Sequence, residues 1–256
     1  MRPALAVVTV MAGCAFRAGT ESGDAGAQPP EDAGITVCTH AGCPAACQVT
    51  ANGPVCYTPT SCAEAQAHGQ PANADTTLYA NGNATQPWTA YCNGADEYLT
   101  VAAVNNYGQY AAGGASSGTT VTTNYSKLRI DPTSWKIDVN DETFAMSSGG
   151  PLTHGSSGLE VQSMPLAVAM DCVTNYSATG LAEIALGGTP FVVTNRWTDF
   201  GNKGSGSATA SDSATISITG GGFCGWDAPV GYVGTTGGNP FNPTGVSATV
   251  AVSYAP

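Results

Sequence analysis

The sequence predicts a mainly β protein of the α+β, β-rich class, with a short N-terminal helix and one disulfide-stapled domain after a small cysteine-rich knot. Hydrophobic residues alternate with polar ones in short runs, as where Leu128 and Ile130 alternate with Lys127 and Arg129. This is the period of a strand with one buried face. Charged residues make up 10% of the chain, against roughly 25% in an average globular protein. Nine cysteines complete a composition typical of extracellular β proteins.

The charge of the chain argues against a nucleic-acid partner. Its formal net charge is −11, whereas a nucleic-acid-binding face needs a basic footprint. The same balance leaves no basic patch for anionic lipid. The expected partner is an extracellular protein or polysaccharide, and the membrane is expected to be contacted through a lipid anchor only.

Residues 1–13 are expected to be a lipoprotein-type signal peptide. An apolar run at 4–11 follows a basic start, and it is too short to span a bilayer. Ala12-Gly13-Cys14 then resembles a bacterial lipobox, in which Cys14 is lipidated and becomes the new N-terminus. The alternative is an ordinary secretory signal with an incidental cysteine. In either case the protein is exported, as a cell-envelope lipoprotein or else secreted.

Residues 14–37 are expected to form a flexible tether. The segment consists largely of Gly, Ala, Pro, Glu and Asp. A segment with so few large apolar residues cannot bury enough surface to become ordered.

The cysteines after Cys14 are even in number, which suits disulfide pairing in an oxidising compartment. Residues 38–60 are expected to form a knot of two bridges, because four of the eight lie close together there: Cys38, Cys43, Cys47 and Cys56. Their connectivity stays open. A metal site that includes His40 is the alternative, although the segment has no Cys-x-x-Cys pair.

Residues 61–256 are expected to form the main domain, which begins with a helix. Ser61 can cap this helix while Glu64 reaches back to the cap, and Gly69 is a fitting stop. Strands are expected at 76–80, 88–92, 97–101, 127–130, 135–138, 165–170, 181–186, 191–194, 215–218 and 245–254.

Two loops are expected from their Gly, Ser and Asn content, at 105–120 and 147–159. The first carries Tyr107 and Tyr110, which are candidate ligand contacts because tyrosines exposed in polar loops bind partners well. The alternative is that both rings pack over the sheet. The second loop carries His154.

The central segment resembles the GON domain, which is found at the C-terminus of some secreted zinc metalloproteases of the ADAMTS family. The resemblance is carried by Tyr-Ser-Lys-Leu-Arg-Ile-Asp-Pro at 125–132, Lys-Ile-Asp-Val-Asn-Asp at 136–141, and Thr143-Phe144. It extends over about residues 61–227. It implies a Cys62–Cys92 bridge and a Cys172–Cys224 bridge. The family usually has further cysteines beyond the position of Cys224, and this chain has none.

The resemblance implies an association with zinc proteolysis, but the residues do not supply a catalytic site. There is no His-Glu-x-x-His and no Gly-x-Ser-x-Gly, and the three histidines, His40, His68 and His154, are dispersed. We therefore expect no zinc and no other cofactor.

The acidic residues give two further candidate sites. Asp138, Asp141 and Glu142 could bind calcium through oxygen ligands, or they could be turn residues beside a strand end. An acidic pair of a glycosidase would have to come from Glu97, Asp138, Asp141 and Glu183.

The sequence thus predicts an exported, membrane-tethered, non-catalytic binding or adhesion module. The alternative is an ancillary domain of metalloendopeptidase ancestry that assists extracellular proteolysis, and it rests on family association alone. An unrecognised hydrolase is the third hypothesis.

The lipid anchor can be tested by mass. Intact protein from the membrane fraction should begin at Cys14 and carry a diacylglyceryl group. The two acyl chains of that group can anchor the flexible N-terminal segment to a bilayer. Cys14→Ser should release the protein from that fraction. A mature protein that lacks Cys14, or that carries it unmodified, would contradict the prediction.

Overall fold

The computed structural model describes residues 46–51, 53–200, 205–230 and 249–256. These lie in one compact unit, Cys38–Pro256. The predicted signal peptide and tether fall outside the described residues, as do Cys14, Cys38, His40 and Cys43. The domain boundaries drawn from the sequence therefore stay predictions.

The described residues are β-rich, as predicted, with 51% strand and 7% helix. One α-helix, α1 (Cys62–Ala67), and two 3₁₀ turns, Ala80–Gly82 and Ala103–Asn105, are the helical elements of the described residues. The strands are β1 (Ala46–Thr50), β2 (Gly53–Tyr57), β3 (Ala74–Tyr79), β4 (Pro87–Asn93), β5 (Asp96–Thr100), β6 (Tyr107–Ala111), β7 (Ser117–Gly118), β8 (Val121–Tyr125), β9 (Lys127–Asp131), β10 (Lys136–Asp138), β11 (Ala145–Ser148), β12 (Leu152–His154), β13 (Leu159–Val161), β14 (Ala169–Asp171), β15 (Gly180–Ala185), β16 (Phe191–Val193), β17 (Trp197–Phe200), β18 (Ser205–Ala210), β19 (Thr215–Gly221), β20 (Trp226–Pro229) and β21 (Thr249–Tyr254). None of the helices described has the length and apolar character of a membrane span.

Helix α1 begins and ends where the sequence predicts. The Ser61 side chain accepts a hydrogen bond from the Glu64 N–H (3.1 Å). The Glu64 carboxylate reaches one residue further back than a capping box requires and accepts from the N–H of Thr60 (2.8 Å). Gly69 follows with a φ of 86°, a conformation that glycine adopts without steric cost.

The first sheet has seven strands in the order β16-β21-β10-β9-β5-β4-β3. The predicted strand at 127–130 is β9, in which Leu128 and Ile130 are buried while Lys127 and Arg129 are only partly buried. The predicted strand at 135–138 starts one residue late, because Trp135 belongs to the turn and has a φ of 53°. Its ring still packs against the first sheet, 5.3 Å from the ring of Phe191.

The second sheet has nine strands and is organised around β6. The strand order is β17-β20-β14-β6-β15-β19-β18, with β8 also paired to β6 and β11 to β8. Strand β6 runs parallel to β14 and antiparallel to β8 and β15. The loop predicted at 105–120 is therefore wrong in its centre. Gly108 in β6 permits a close approach of two backbone segments, since a Cβ at this position would lie 1.9 Å from the carbonyl oxygen of Pro165.

The loop predicted at 147–159 is also wrong in part. It contains the end of β11, all of β12 and the start of β13, and β12 pairs with both β13 and β7 in a small three-stranded sheet. His154 ends β12 and is half-buried. The glycines in this segment lie in the turns between these short strands, so a loop-like composition conceals strands that tertiary pairing creates.

Both disulfides implied by the family resemblance are present. Cys62–Cys92 joins the start of α1 to β4, and Cys172–Cys224 joins the end of β14 to the turn between β19 and β20. They close loops of 30 and 52 residues. In the chain-entropy account of disulfides, loops of this size each contribute roughly 4 kcal/mol to stability.

Strands β1 and β2 are the part of the predicted knot that the structure describes, and they pair as an antiparallel hairpin. Cys47 and Cys56 on these strands are disulfide-bonded. Because each cysteine forms one bridge, their partners are not the four cysteines bridged in the main domain.

We predict that Gly108→Ala destabilises the protein strongly. The new methyl group would meet the carbonyl of Pro165, a backbone atom that cannot rotate away. We expect a loss of about 3 kcal/mol, or roughly 6 to 12 °C in Tm for a chain of this size. Thermal unfolding followed by circular dichroism measures it.

Gly187→Ala is the matched control for that substitution. A Cβ at this exposed position meets no atom within 4 Å, so its effect should stay within about 0.5 kcal/mol. Equal Tm values for the two variants would show that a methyl group at position 108 does not clash with the Pro165 carbonyl.

Candidate ligand-binding cleft

A polar cleft opens at the first sheet, around the turn between β9 and β10. Its volume is about 410 Å³, within the range of ligand sites, roughly 300–1,000 Å³. We call it the polar cleft and define it by its lining: Asp96, Glu97, Arg129, Ile130, Asp131, Pro132, Ser134, Lys136, Asp138 and Thr249. The lining holds four carboxyl groups and two cationic groups, so its charge is predominantly negative.

Arg129 is the fixed cation of the cleft. Its Nη2 lies 2.6 Å from Asp96 Oδ1, and its Nη1 lies 3.9 Å from Asp141 Oδ2. Asp141 is held in turn by the Tyr98 hydroxyl, which donates to Oδ2 at 3.1 Å. The pair with Asp96 is close to half exposed on both sides, so it orients the two groups more than it stabilises the fold.

The pKa values of the Asp131 and Glu97 carboxyl groups are shifted in opposite directions. Hydrogen bonds from the hydroxyls of Ser134 and Thr133, both 2.6 Å, lower the pKa of Asp131. Burial raises the pKa of Glu97, against the effect of the Cys62 N–H that donates to its Oε1 at 2.6 Å. The carboxyl group of Asp131 is therefore held in its ionised form, whereas that of Glu97 binds the backbone at the start of α1.

Two of the three calcium candidates accept hydrogen bonds from the backbone of the residues that follow them. Asp138 Oδ1 accepts from the Asn140 N–H at 2.9 Å, and Asp141 Oδ1 accepts from the Thr143 N–H at 3.0 Å. Glu142 is exposed. Within the described part of the chain, these three do not form a group with converging ligand atoms. Asp138 nevertheless lines the polar cleft.

The acidic residues proposed for a hydrolase are divided between the two sheets. Glu97 and Asp138 line the polar cleft, and Asp141 lies at its edge beside Arg129. Glu183 lies on β15 of the second sheet, opposite Tyr107. It therefore belongs to a different surface from Glu97 and is not its partner.

The two tyrosine candidates are not exposed loop residues. Tyr110 is fully buried on β6, and Tyr107 is half-buried on the same strand. The ring of Tyr110 therefore packs within the sheet, which was the alternative interpretation of the sequence, whereas Tyr107 remains partly exposed. His68 is the C-cap residue of α1, and its ring stacks on that of Tyr57 at 4.2 Å.

A second group of polar side chains surrounds the Cys172–Cys224 bridge. The Tyr110 hydroxyl lies 2.9 Å from Cys172 Sγ and 2.7 Å from His154 Nδ1. Burial lowers the pKa of His154. His154, Cys172 and Cys224 have ligand atoms within 4.8 Å of one another. With the sulfurs bridged, however, neither cysteine offers a thiolate to a metal.

Asp227 is a buried acidic residue on β20. It is 2% exposed, and within the described residues its Oδ1 has no hydrogen-bond partner. It lies opposite Asp199 in the β17–β20 pair. Burial, with a smaller contribution from Asp199, raises the pKa of Asp227 to about 7. A Cβ at Gly206 would lie 2.8 Å from the Cβ of Asp227, so glycine makes room for this side chain.

Sequence reasoning missed the polar cleft as a unit. Arg129 was visible, with Lys127, as the polar face of a strand, but its neighbours Asp96 and Lys136 come from β5 and β10. The alternation of charged residues in β9 was the available signal. Only the pairing of the strands identifies which charges meet.

Comparison with protein families identifies one match. Residues 112–234 match the family model of the GON domain. The match covers the second part of the region, 61–227, in which the sequence motifs were recognised. No curated protein and no solved structure matches the chain.

We predict that the contribution of Asp227 to the stability of the protein falls as pH rises from about 4 to about 7. The pKa of Asp227 in the folded state lies above the ordinary value of 3.8, so the folded protein holds this proton more tightly than the unfolded chain does. The carboxyl group is neutral in both states only well below pH 3.8. Above pH 7 the buried group is charged, and its burial then lowers the free energy of unfolding by at most about 4 kcal/mol.

Asp227→Asn should raise the free energy of unfolding at pH 8 and leave it nearly unchanged at pH 4. Urea unfolding at both pH values measures this, and Asp212→Asn at an exposed turn is the control. A pH profile of Asp227→Asn that matches the parent profile would refute the assignment.

Proposed function

The chain contains a GON domain, and on that premise we propose that it is an exported, membrane-tethered, non-catalytic binding module for an extracellular protein. Export is supported by the two disulfides of the domain, which form and persist in oxidising compartments. The tether is the lipid at Cys14 and the segment at 14–37. The proposed binding site is the polar cleft.

The observation that carries this proposal is the constellation of charges in the polar cleft. Asp131 keeps its charge through hydrogen bonds from Ser134 and Thr133. Arg129 is held by Asp96, and Lys136 lines the same wall. A fixed pattern of both signs provides orientation and selects partners more than it provides raw affinity.

A basic segment of a protein fits this cleft better than a polysaccharide does. The carboxyl groups outnumber the cations, and the net charge of the whole chain is −11. This charge repels anionic polysaccharides and attracts lysine and arginine side chains. Neutral sugars are usually bound by stacking on aromatic rings, and the lining of the polar cleft contains no aromatic residue.

The proposal of a non-catalytic role rests on how the acidic residues are used. Asp131 and Asp138 accept hydrogen bonds within their own turns, and Glu97 anchors the start of α1. The hydroxyl groups that bond Asp131 belong to Ser134 and Thr133 of its own turn. The alternative, a domain that assists zinc proteolysis, is supported by family association and by no contact in the cleft.

We predict that hexalysine binds to the polar cleft and that the double variant Asp131→Asn/Asp138→Asn binds it about tenfold more weakly. Asparagine keeps the side-chain oxygen that each turn uses but removes the charge. The loss of two charge pairs at a partly exposed site supports a change of about tenfold. Isothermal titration calorimetry at low salt measures the affinity.

The control is Asp212→Asn, which removes one charge from an aspartate that also accepts a turn hydrogen bond, from the Ala214 N–H at 2.8 Å. It should bind hexalysine like the parent. Equal weakening by the control would mean that only net charge matters. Binding of dextran that the double variant abolishes would replace the protein ligand with a neutral polysaccharide.

A further inference from the structure

We infer that the Cys172–Cys224 disulfide is a site of thiol–disulfide exchange, at which an external thiolate attacks Cys224 Sγ and the Cys172 thiolate leaves. The inference does not rest on the function proposed for the polar cleft, because that cleft is formed by the first sheet and this bridge lies in the second. It rests on the unequal surroundings of the two sulfurs.

Access to the bridge is one-sided. Cys172 is 1% exposed, whereas Cys224 is partly exposed in the turn between β19 and β20. Gly155 lies beside the sulfurs, and a Cβ there would be 3.5 Å from Cys224 Sγ. The missing side chain leaves the approach to Cys224 less covered. The other bridge of the domain, Cys62–Cys92, is 0% exposed at both cysteines and is a control within the same chain.

The buried sulfur is the one that can leave as a stabilised anion. The Tyr110 hydroxyl donates to Cys172 Sγ at 2.9 Å. The same oxygen lies 2.7 Å from both His154 Nδ1 and Ser116 Oγ, which can donate to it while its proton points to the sulfur. Burial raises the pKa of Tyr110 to about 12, so the hydroxyl stays a donor. A hydrogen bond to a thiolate lowers its basicity, and a less basic thiol leaves faster.

The reaction balances without an added oxidant or reductant beyond the attacking thiol. The incoming thiolate forms a new S–S bond to Cys224 as the bond between Cys224 and Cys172 breaks. The electron pair of that bond goes to Cys172, whose thiolate is held by Tyr110. The product is a mixed disulfide between the protein and a thiol compound, either a small thiol or a cysteine of a partner protein.

The surface around Cys224 suits a thiol that is carried by a larger molecule. Phe223, which precedes Cys224, is 38% exposed and Tyr176 is 66% exposed. Their rings meet edge to face at 5.0 Å. Together they present exposed apolar area at the turn that carries Cys224.

The test is exchange of the purified full chain with reduced glutathione at pH 8, quenched with acid, alkylated with N-ethylmaleimide and mapped by peptide mass spectrometry. We expect glutathione on Cys224 and the alkyl group on Cys172 of the same molecules, with Cys62 and Cys92 unlabelled. Glutathione on Cys172, or labelling of Cys62 and Cys92 at the same rate, would overturn the inference.

Tyr110→Phe should slow this exchange about tenfold, because a hydrogen bond to a charged group is lost from the leaving sulfur. Tyr125→Phe is the matched control. It also removes a buried tyrosine hydroxyl, one that donates to the Met164 carbonyl at 2.6 Å, and it should leave the rate unchanged. Protection of Cys62 and Cys92 reports that each variant is folded. Equal rates in both folded variants would remove the role of Tyr110 and with it the inference.

Discussion

The close contact between β6 and the segment at 165–168 is the constraint on which the second sheet depends. The backbone of Gly108 approaches the Pro165 carbonyl so closely that no side chain fits between them. This approach lets the Gln109 N–H donate to the Val168 carbonyl at 3.0 Å. Strand β14 can then run parallel beside β6 and deliver Cys172 to the end of the sheet.

The same strand places the polar groups of the second sheet. Asn106, just before β6, is fully buried and bonds both the N–H and the carbonyl of Ala185, at 2.9 Å each. Tyr110, near its other end, brings its hydroxyl to Cys172 and His154. A buried polar group is costly unless it is paired. These side chains therefore fix the position of β6 relative to its neighbours rather than merely filling the core.

The two sheets carry different chemistry. The first sheet presents charged side chains around the β9–β10 turn, where Asp131 and Arg129 are held by neighbours and face solvent. The second sheet buries several polar groups, among them Asp227 and the Tyr110 hydroxyl that contacts the Cys172 sulfur. In a chain with so few charged residues, the position of each one has a large effect on where a partner can bind.

The sequence by itself determined the local structure. Ser61 and Gly69 defined α1, and the alternation around Leu128 defined β9, because capping and burial of one strand face act over a few residues. The two disulfides came from the family resemblance. What only the tertiary structure decided is which distant residues meet. The Gly-rich segments at 105–120 and 147–159 became β6 and β12 because neighbouring strands pair with them, a nonlocal effect that composition does not record. The polar cleft and the contact of Tyr110 with Cys172 follow from the same cause, since each joins strands that are far apart in the chain and are brought together only by the sheets.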